Sequence, residues 1–206
     1  MSKRLKSAKR YKALGSKAAA CIDRVLALLP PIEFTQIICG LLSNSIKTKR
    51  EWLLIQSLEM LCSRLRSKNQ DPSNYDEQGE CVLMETIMAE LSEVLNKIES
   101  VQPLNLTLKA IKLITKGAPL LASGEKSSRL MGSMLTRMKS MTQRCPIRAK
   151  DSIYGSLMLT ASVLVSELKL KALPHLTWVI DALLNGLEKD QPGDQIKLII
   201  IASYQK

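Results

Sequence analysis

Apolar residues recur at intervals of three and four along most of this chain, which is the spacing of a helix that buries one face. No segment alternates apolar and polar residues convincingly, as a half-buried strand does. The clearest helix opens at Leu173-Pro174-His175-Leu176, and a second apolar run begins at Ile196 after the polar segment Asp190–Asp194. Leu, Ile, Ala and Met supply the apolar positions and aromatic residues make up only 3% of the chain, which favours helices over a β-sandwich. The pattern predicts an all-α protein.

The predicted helices come in pairs. In Pro31–Leu65, a helix over Phe34–Leu42 precedes a polar turn at Ser43-Asn44-Ser45 and a basic, apolar helix from Lys47. The first helices of successive pairs are predicted to begin near four positions about 46 to 48 residues apart, which is close to the period of HEAT repeats. These positions are Ile32, Cys81, Ser128 and Pro174. We therefore predict a HEAT/armadillo-like α-solenoid of about four helix pairs, in which each unit buries its apolar face against its neighbours.

The predicted domain organisation has two parts, a basic N-terminal arm over residues 1–17 and helical repeats over residues 18–206. The chain stops at Lys206, inside what would be the second helix of the last pair, so the apolar run 196–201 has no following repeat to cover it. Because solenoids normally end on a polar cap, we expect this chain to be part of a longer protein, truncated in its last repeat.

Polar segments divide the repeats. Lys68–Gln78 and Gly117–Ser128 are predicted to be loops. Between them, Glu85, Glu90 and Glu93 are interpreted as the solvated outer face of a helix rather than as a catalytic or metal-binding cluster. The methionine stripe from Met131 to Met141 is predicted to be core, although Met-rich faces can also accept a partner helix.

The net charge of +11 is unevenly distributed. Residues 1–17 carry +7 and residues 101–150 carry +9, whereas residues 71–100 carry −7. Two basic zones around an acidic one indicate contact with a polyanion such as nucleic acid, and the alternative is a set of solvated helix faces. The candidate contact residues in the N-terminal arm are Lys3, Arg4, Lys6, Lys9, Arg10, Lys12 and Lys17. The second candidate set is Lys109, Lys112, Lys116, Arg137, Lys139, Arg144, Arg148 and Lys150.

The sequence offers little catalytic or metal-binding chemistry. The five cysteines are widely spaced and never form a CxxC pair, which predicts buried free thiols in a reducing compartment. The single histidine, His175, is interpreted as a polar residue at a helix start rather than as a general base. We predict no catalytic residues, no metal, no cofactor, no small-molecule substrate and no membrane segment.

Several segments, in order, resemble the HEAT repeat-containing protein 1 family, the large HEAT-repeat scaffold of the small-subunit processome. Leu26–Pro30 is similar to its "NALLP" motif, and the helix from Lys49-Arg50 to Leu65 is similar to "VRRKAL.LL..KL". Ile153–Leu157 and Ala172–Leu176 resemble its "VLGSALLC" and "AIPQLPSLMPSLL" stretches. The chain departs from the family at Trp52-Leu53-Leu54, where small residues are usual.

This resemblance implies a nucleolar, non-catalytic scaffold in small ribosomal subunit biogenesis that acts in pre-rRNA processing. The implied partners are processome proteins, with pre-rRNA or snoRNA as candidate direct contacts. The alternative is a HEAT or armadillo adaptor for another protein partner, such as a transport or chromatin factor. An enzyme is the third class, and it would need a pocket around His175.

Overall fold

The computed structural model describes residues 21, 22, 24, 25, 28–70, 77–98, 100–117, 124–144 and 152–188. From residue 31 onward the described chain forms seven α-helices and one 3-10 helix; the described residues 21, 22, 24, 25 and 28 are also helical, and no described residue lies in a strand. The helices are α1 (Pro31–Thr48), α2 (Glu51–Gln70), α3 (Glu77–Lys97), α4 (Val101–Gly117), α5 (Glu125–Arg144), α6 (Ser152–Leu168) and α7 (Leu173–Glu188), with the 3-10 helix at Lys169–Ala172. The prediction of an all-α protein is confirmed for this part of the chain.

The helices pack in two rows. In one row α3 lies between α1 and α5, and α7 packs on α5; in the other, α4 lies between α2 and α6. The rows are joined within the pairs α1–α2, α3–α4 and α5–α6, and also where α6 meets α7. Among the described helices, extensive contact is confined to partners one or two elements apart. The first-row helices begin at Pro31, Glu77, Glu125 and Leu173, which are 46, 48 and 48 residues apart.

The first helix continues through the segment that was predicted to be a turn. Ser45 donates its hydroxyl to the carbonyl of Leu42 (2.7 Å), and Thr48 donates to that of Asn44 (2.8 Å). These bonds satisfy the polar side chains inside the helix, so Ser43-Asn44-Ser45 does not break it. The predicted turn position was therefore wrong, and the turn lies at Lys49-Arg50.

The predicted loops are shorter than the polar segments that marked them. The second helix extends to Gln70 and the third begins at Glu77, and the next gap is bounded by Gly117 and Glu125. Residues 71–76 and 118–123 lie outside the described part of the chain.

The prediction of a solvated acidic face on α3 was wrong for Glu85. Its carboxylate is only 15% exposed, whereas Glu93 is 59% exposed and Glu90 is half-buried. Glu85 accepts a hydrogen bond from Ser127 on α5 and lies 3.4 Å from the Lys126 ammonium. It therefore ties α3 to α5 rather than facing solvent.

The core runs along the seam between the two rows. Its fully buried aliphatic side chains include Ile38, Leu58, Leu91 and Ile111, one from each of the first four helices. The methionine stripe continues this core in α5, where Met131, Met134 and Met138 are fully buried, as predicted. The apolar side chains of the segment before α1 behave differently, because Ile22, Val25 and Leu28 are exposed by 47%, 60% and 85%.

Candidate nucleic-acid interface

Part of the predicted basic set lies outside the described residues. This applies to the whole arm, residues 1–17, and to Arg148 and Lys150. Arg144 is the last residue of α5. The structure therefore places five of the predicted contact side chains: Lys109, Lys112, Lys116, Arg137 and Lys139.

The three lysines of α4 share one stripe of that helix. Their spacing of three and four residues brings them to one side, away from the buried positions Leu108, Ile111 and Ile114. Lys109 and Lys116 are exposed and Lys112 is half-buried. The α4 lysines therefore form one continuous basic stripe.

Arg137 and Lys139 do not belong to that stripe. Both are exposed, but they lie on α5, which packs in the other row and makes no extensive contact with α4. The described members of the second candidate set are thus divided between the two rows rather than gathered on one surface.

Lys139 also lines a cavity of about 460 Å³ between α5, α6 and α7, together with Trp178 and Asp181. In the wall of this cavity, the Tyr154 hydroxyl donates to the carbonyl of Ala182, which ties α6 to α7. Burial raises the pKa of the Tyr154 phenol. This tyrosine therefore keeps its proton and serves a structural contact.

A second group of basic residues was not among the predicted contacts. Lys49 and Arg50 form the turn between α1 and α2, and Lys97 ends α3. All three are exposed, and they line one cavity of about 400 Å³ between the α1–α2 turn and the α3–α4 turn. We call these three residues the turn-edge cluster. The run Lys47-Thr48-Lys49-Arg50 at a helix boundary is the part of this cluster that the sequence could have indicated. Only the fold brings Lys97 to the same cavity.

The backbone fixes the turn-edge cluster in place. Lys49 adopts the left-handed conformation (φ 53°), and its N–H donates to the carbonyl of Ile46. The Arg50 N–H donates to the carbonyl of Ser45 (3.1 Å), which completes a Schellman ending of α1. The Arg50 carbonyl then accepts the first amide bonds of α2, so both ends of this two-residue turn are tied to helices.

The two turns are also tied to each other. The Ser100 hydroxyl, in the α3–α4 turn, donates to the Glu51 carboxylate at the start of α2 (2.9 Å). Among the described residues that line this cavity, Glu51 is the one carboxylate, against three cations. The described part of the wall therefore carries a net positive charge.

The prediction of buried thiols was right for Cys62 but wrong for Cys21, which is exposed, and Cys39 and Cys81 are half-buried. Burial, with a smaller contribution from Glu90, raises the pKa of Cys39 to about 11. Burial also raises the pKa of Cys62 to about 11, against the opposing effect of Lys109 and Arg66. His175 is half-buried, and its Nε2 would lie 3.1 Å from a Cβ placed on Gly132. The ring thus packs against the backbone of α5.

Within the described part of the chain, no group of three or more His, Cys, Asp or Glu residues is placed to hold a metal ion. None of the helices described here combines the length and the apolarity that crossing a membrane requires.

Comparison with known proteins gives no family for this chain: no protein-family model, no curated protein and no solved structure matches it.

Proposed function

We propose that this protein is a HEAT/armadillo-like α-solenoid that acts as a non-catalytic scaffold in small ribosomal subunit biogenesis, within the small-subunit processome of the nucleolus. The observation that carries the proposal is the order of helix contacts. Each described helix makes extensive contact only with partners one or two elements away, and the first-row helices begin 46 to 48 residues apart. That arrangement is typical of repeat proteins, which mostly present extended binding surfaces.

The charge distribution supports RNA as one of the ligands. The chain carries +11, and the α4 stripe of Lys109, Lys112 and Lys116 presents two exposed lysines. Exposed lysines attract phosphates through long-range electrostatics without reading sequence. The ordered resemblance of the chain to the processome scaffold family directs this general property towards pre-rRNA or snoRNA.

The test is co-purification of the tagged chain from cells, followed by identification of the recovered RNAs and proteins. We expect pre-rRNA and processome proteins. The variant K109Q/K116Q removes both exposed charges of the α4 stripe, and K169Q/K171Q removes two charges from the 3-10 helix as a matched control.

The α4 variant should recover less RNA than the control. In a salt titration with single-stranded RNA, its log–log slope should flatten by about 0.7 for each phosphate that the variant no longer neutralises. Recovery of transport or chromatin factors without pre-rRNA would instead support the adaptor function, and would contradict the processome proposal.

A further inference from the structure

The turn-edge cluster has the composition of an anion site. Lys49, Arg50 and Lys97 converge on one cavity from two different helix pairs. Lys97 pairs with Glu93 at 3.4 Å, but both side chains are more than half exposed, so this surface pair holds the lysine only weakly. A guanidinium next to two ammonium groups matches the oxygens of a phosphate, which arginine can contact through two parallel hydrogen bonds.

The backbone conformation at Lys49 positions one of these three charges. A left-handed residue after a helix is usually glycine, because a side chain disfavours that conformation. Here a lysine occupies it and places its charge at the cavity. Lys169 has the same conformation (φ 52°), so the left-handed backbone explains where the Lys49 charge lies but does not by itself indicate a site.

An exposed apolar residue directly follows a cavity-lining residue at each of the two turns. Trp52 directly follows Glu51 and is 63% exposed, and Val101 directly follows Ser100 and is 50% exposed. An exposed ring alone would need no explanation. Two residues after Arg50, however, an indole can provide the second component of a single-strand binding site, since bases stack on aromatic side chains while basic groups hold the backbone.

We propose that the edge formed by the α1–α2 and α3–α4 turns is a binding site for single-stranded RNA. One backbone phosphate lies in the cavity between Lys49, Arg50 and Lys97, and an adjacent base stacks on Trp52. The inference deepens the proposed function, since it rests on the scaffold contacting RNA directly. The adjacent indole is the observation that favours RNA over a phosphorylated peptide.

Binding is measured by anisotropy of a fluorescein-labelled oligouridylate of about twelve nucleotides, on the full chain at about 50 mM salt. K49Q/R50Q should weaken binding about tenfold and flatten the salt slope by about 0.7 to 1.4, whereas the matched control K169Q/K171Q should do neither. K49G/R50Q removes the same two charges, and its glycine favours the left-handed turn. Its RNA affinity should be equally low, which separates loss of charge from any loss of stability in K49Q/R50Q.

The stacking contact is tested separately. The chain has two tryptophans, so W178F leaves Trp52 as the only indole, and oligouridylate should quench its fluorescence. W52A should weaken binding about fivefold or more without changing the salt slope, and W52F should retain most of the affinity.

Equal affinities of K49Q/R50Q and K169Q/K171Q would overturn the phosphate site, and absence of Trp52 quenching would overturn the stacking contact. Competition by a phosphoserine peptide or inorganic phosphate at a lower concentration than unlabelled oligouridylate would overturn RNA as the ligand. These failures are distinct from that of the proposed function. RNA binding that depends on Lys49 and Arg50, without recovery of pre-rRNA from cells, would contradict the processome proposal alone.

Discussion

Single residues of the seam show how the rows are held together. Leu58 of α2 is fully buried, and the Cys62 thiol one turn later lies 3.7 Å from the carbonyl of Leu106 on α4. The Cys62 contact joins α2 to α4, and Leu58 belongs to the same buried cluster, so burial here stabilises the packing between pairs as well as α2 itself. Exposed carboxylates such as Glu93 contribute little by comparison.

Leu58→Ala should lower the free energy of unfolding by about 2–5 kcal/mol, because it leaves a cavity in a closely packed site. The matched control is Glu93→Ala, which should cost less than about 0.5 kcal/mol. Urea denaturation followed by circular dichroism measures both. Glu90 of the same helix would not serve as an exposed control, since it is half-buried. Similar losses for Leu58→Ala and Glu93→Ala would contradict this assignment of the core.

The buried thiols make both reactivity and stability depend on pH. Burial raises the pKa of Cys62 to about 11, so near pH 8 the folded chain holds it as the unreactive thiol. A variant that keeps only Cys62 should react slowly with a thiol reagent at about pH 8, and a variant that keeps only the exposed Cys21 should react quickly. Unfolding in urea should make the two rates similar.

The sign of the stability effect follows from the same shift. The folded pKa of Cys62 is above that of an unfolded thiol, near 8.5. Its contribution to stability is therefore complete below about pH 8.5 and is lost as the pH rises towards 11. The Cys62-only variant should show a falling melting temperature over that range, with a steeper fall than in the Cys21-only variant.

At the scale of the helices, close approach between elements is set by small residues. Gly132 on α5 faces His175 on α7, and an added Cβ would lie 3.1 Å from the imidazole Nε2. Gly40 on α1 provides the contrast, since an added Cβ there meets nothing within 4 Å. Alanine in a helix is favoured over glycine by about 1 kcal/mol, so these two sites separate helix propensity from packing.

Gly40→Ala should stabilise the chain by about 0.5–1 kcal/mol. Gly132→Ala should raise the free energy of unfolding by less than this, or should lower it, because His175 has to move away. In an H175A background, Gly132→Ala should stabilise the chain as Gly40→Ala does. A double-mutant cycle then measures the coupling between positions 132 and 175. Equal gains at both glycines in the unaltered chain would show that His175 does not hold α7 against α5.

The sequence predicted the helices more accurately than it predicted the contacts between them. Helical periodicity placed every first-row helix within four residues of its observed start, and the Met131–Met138 stripe was assigned to the core correctly. The turn after Leu42 was misplaced because serine and threonine hydroxyls can bond to the preceding turn of their own helix. Glu85 was assigned to solvent because its partner Ser127 is 42 residues away in the sequence.

The same limit applies to the candidate site. Charge counts found the α4 lysines, which are close in sequence and share a helix face. They did not find the turn-edge cluster, because Lys97 joins Lys49 and Arg50 only where two turns from different pairs meet. Composition also could not show that Arg137 and Lys139 belong to the other row.

On the scale of the whole molecule, stability should be distributed rather than concentrated in one centre. The described helices make extensive contacts only with partners one or two elements away, so removing one end leaves the packing at the other unchanged. In repeat proteins, stability is approximately a sum of the stabilities of the units and of the interfaces between neighbours.

A chain shortened to residues 1–117 should therefore remain folded. It keeps all packing among α1, α2, α3 and α4 and gives up only the interfaces of α3 with α5 and of α4 with α6. Its control ends at residue 97, which also removes α4, the partner of both α2 and α3. We expect the longer product to keep nearly full helical circular dichroism per residue and to melt cooperatively at a lower temperature than the whole chain, and the shorter product to lose most of its helix. If both products unfold alike, the helices share one indivisible core, and the solenoid proposal fails together with the extended binding surface that it provides.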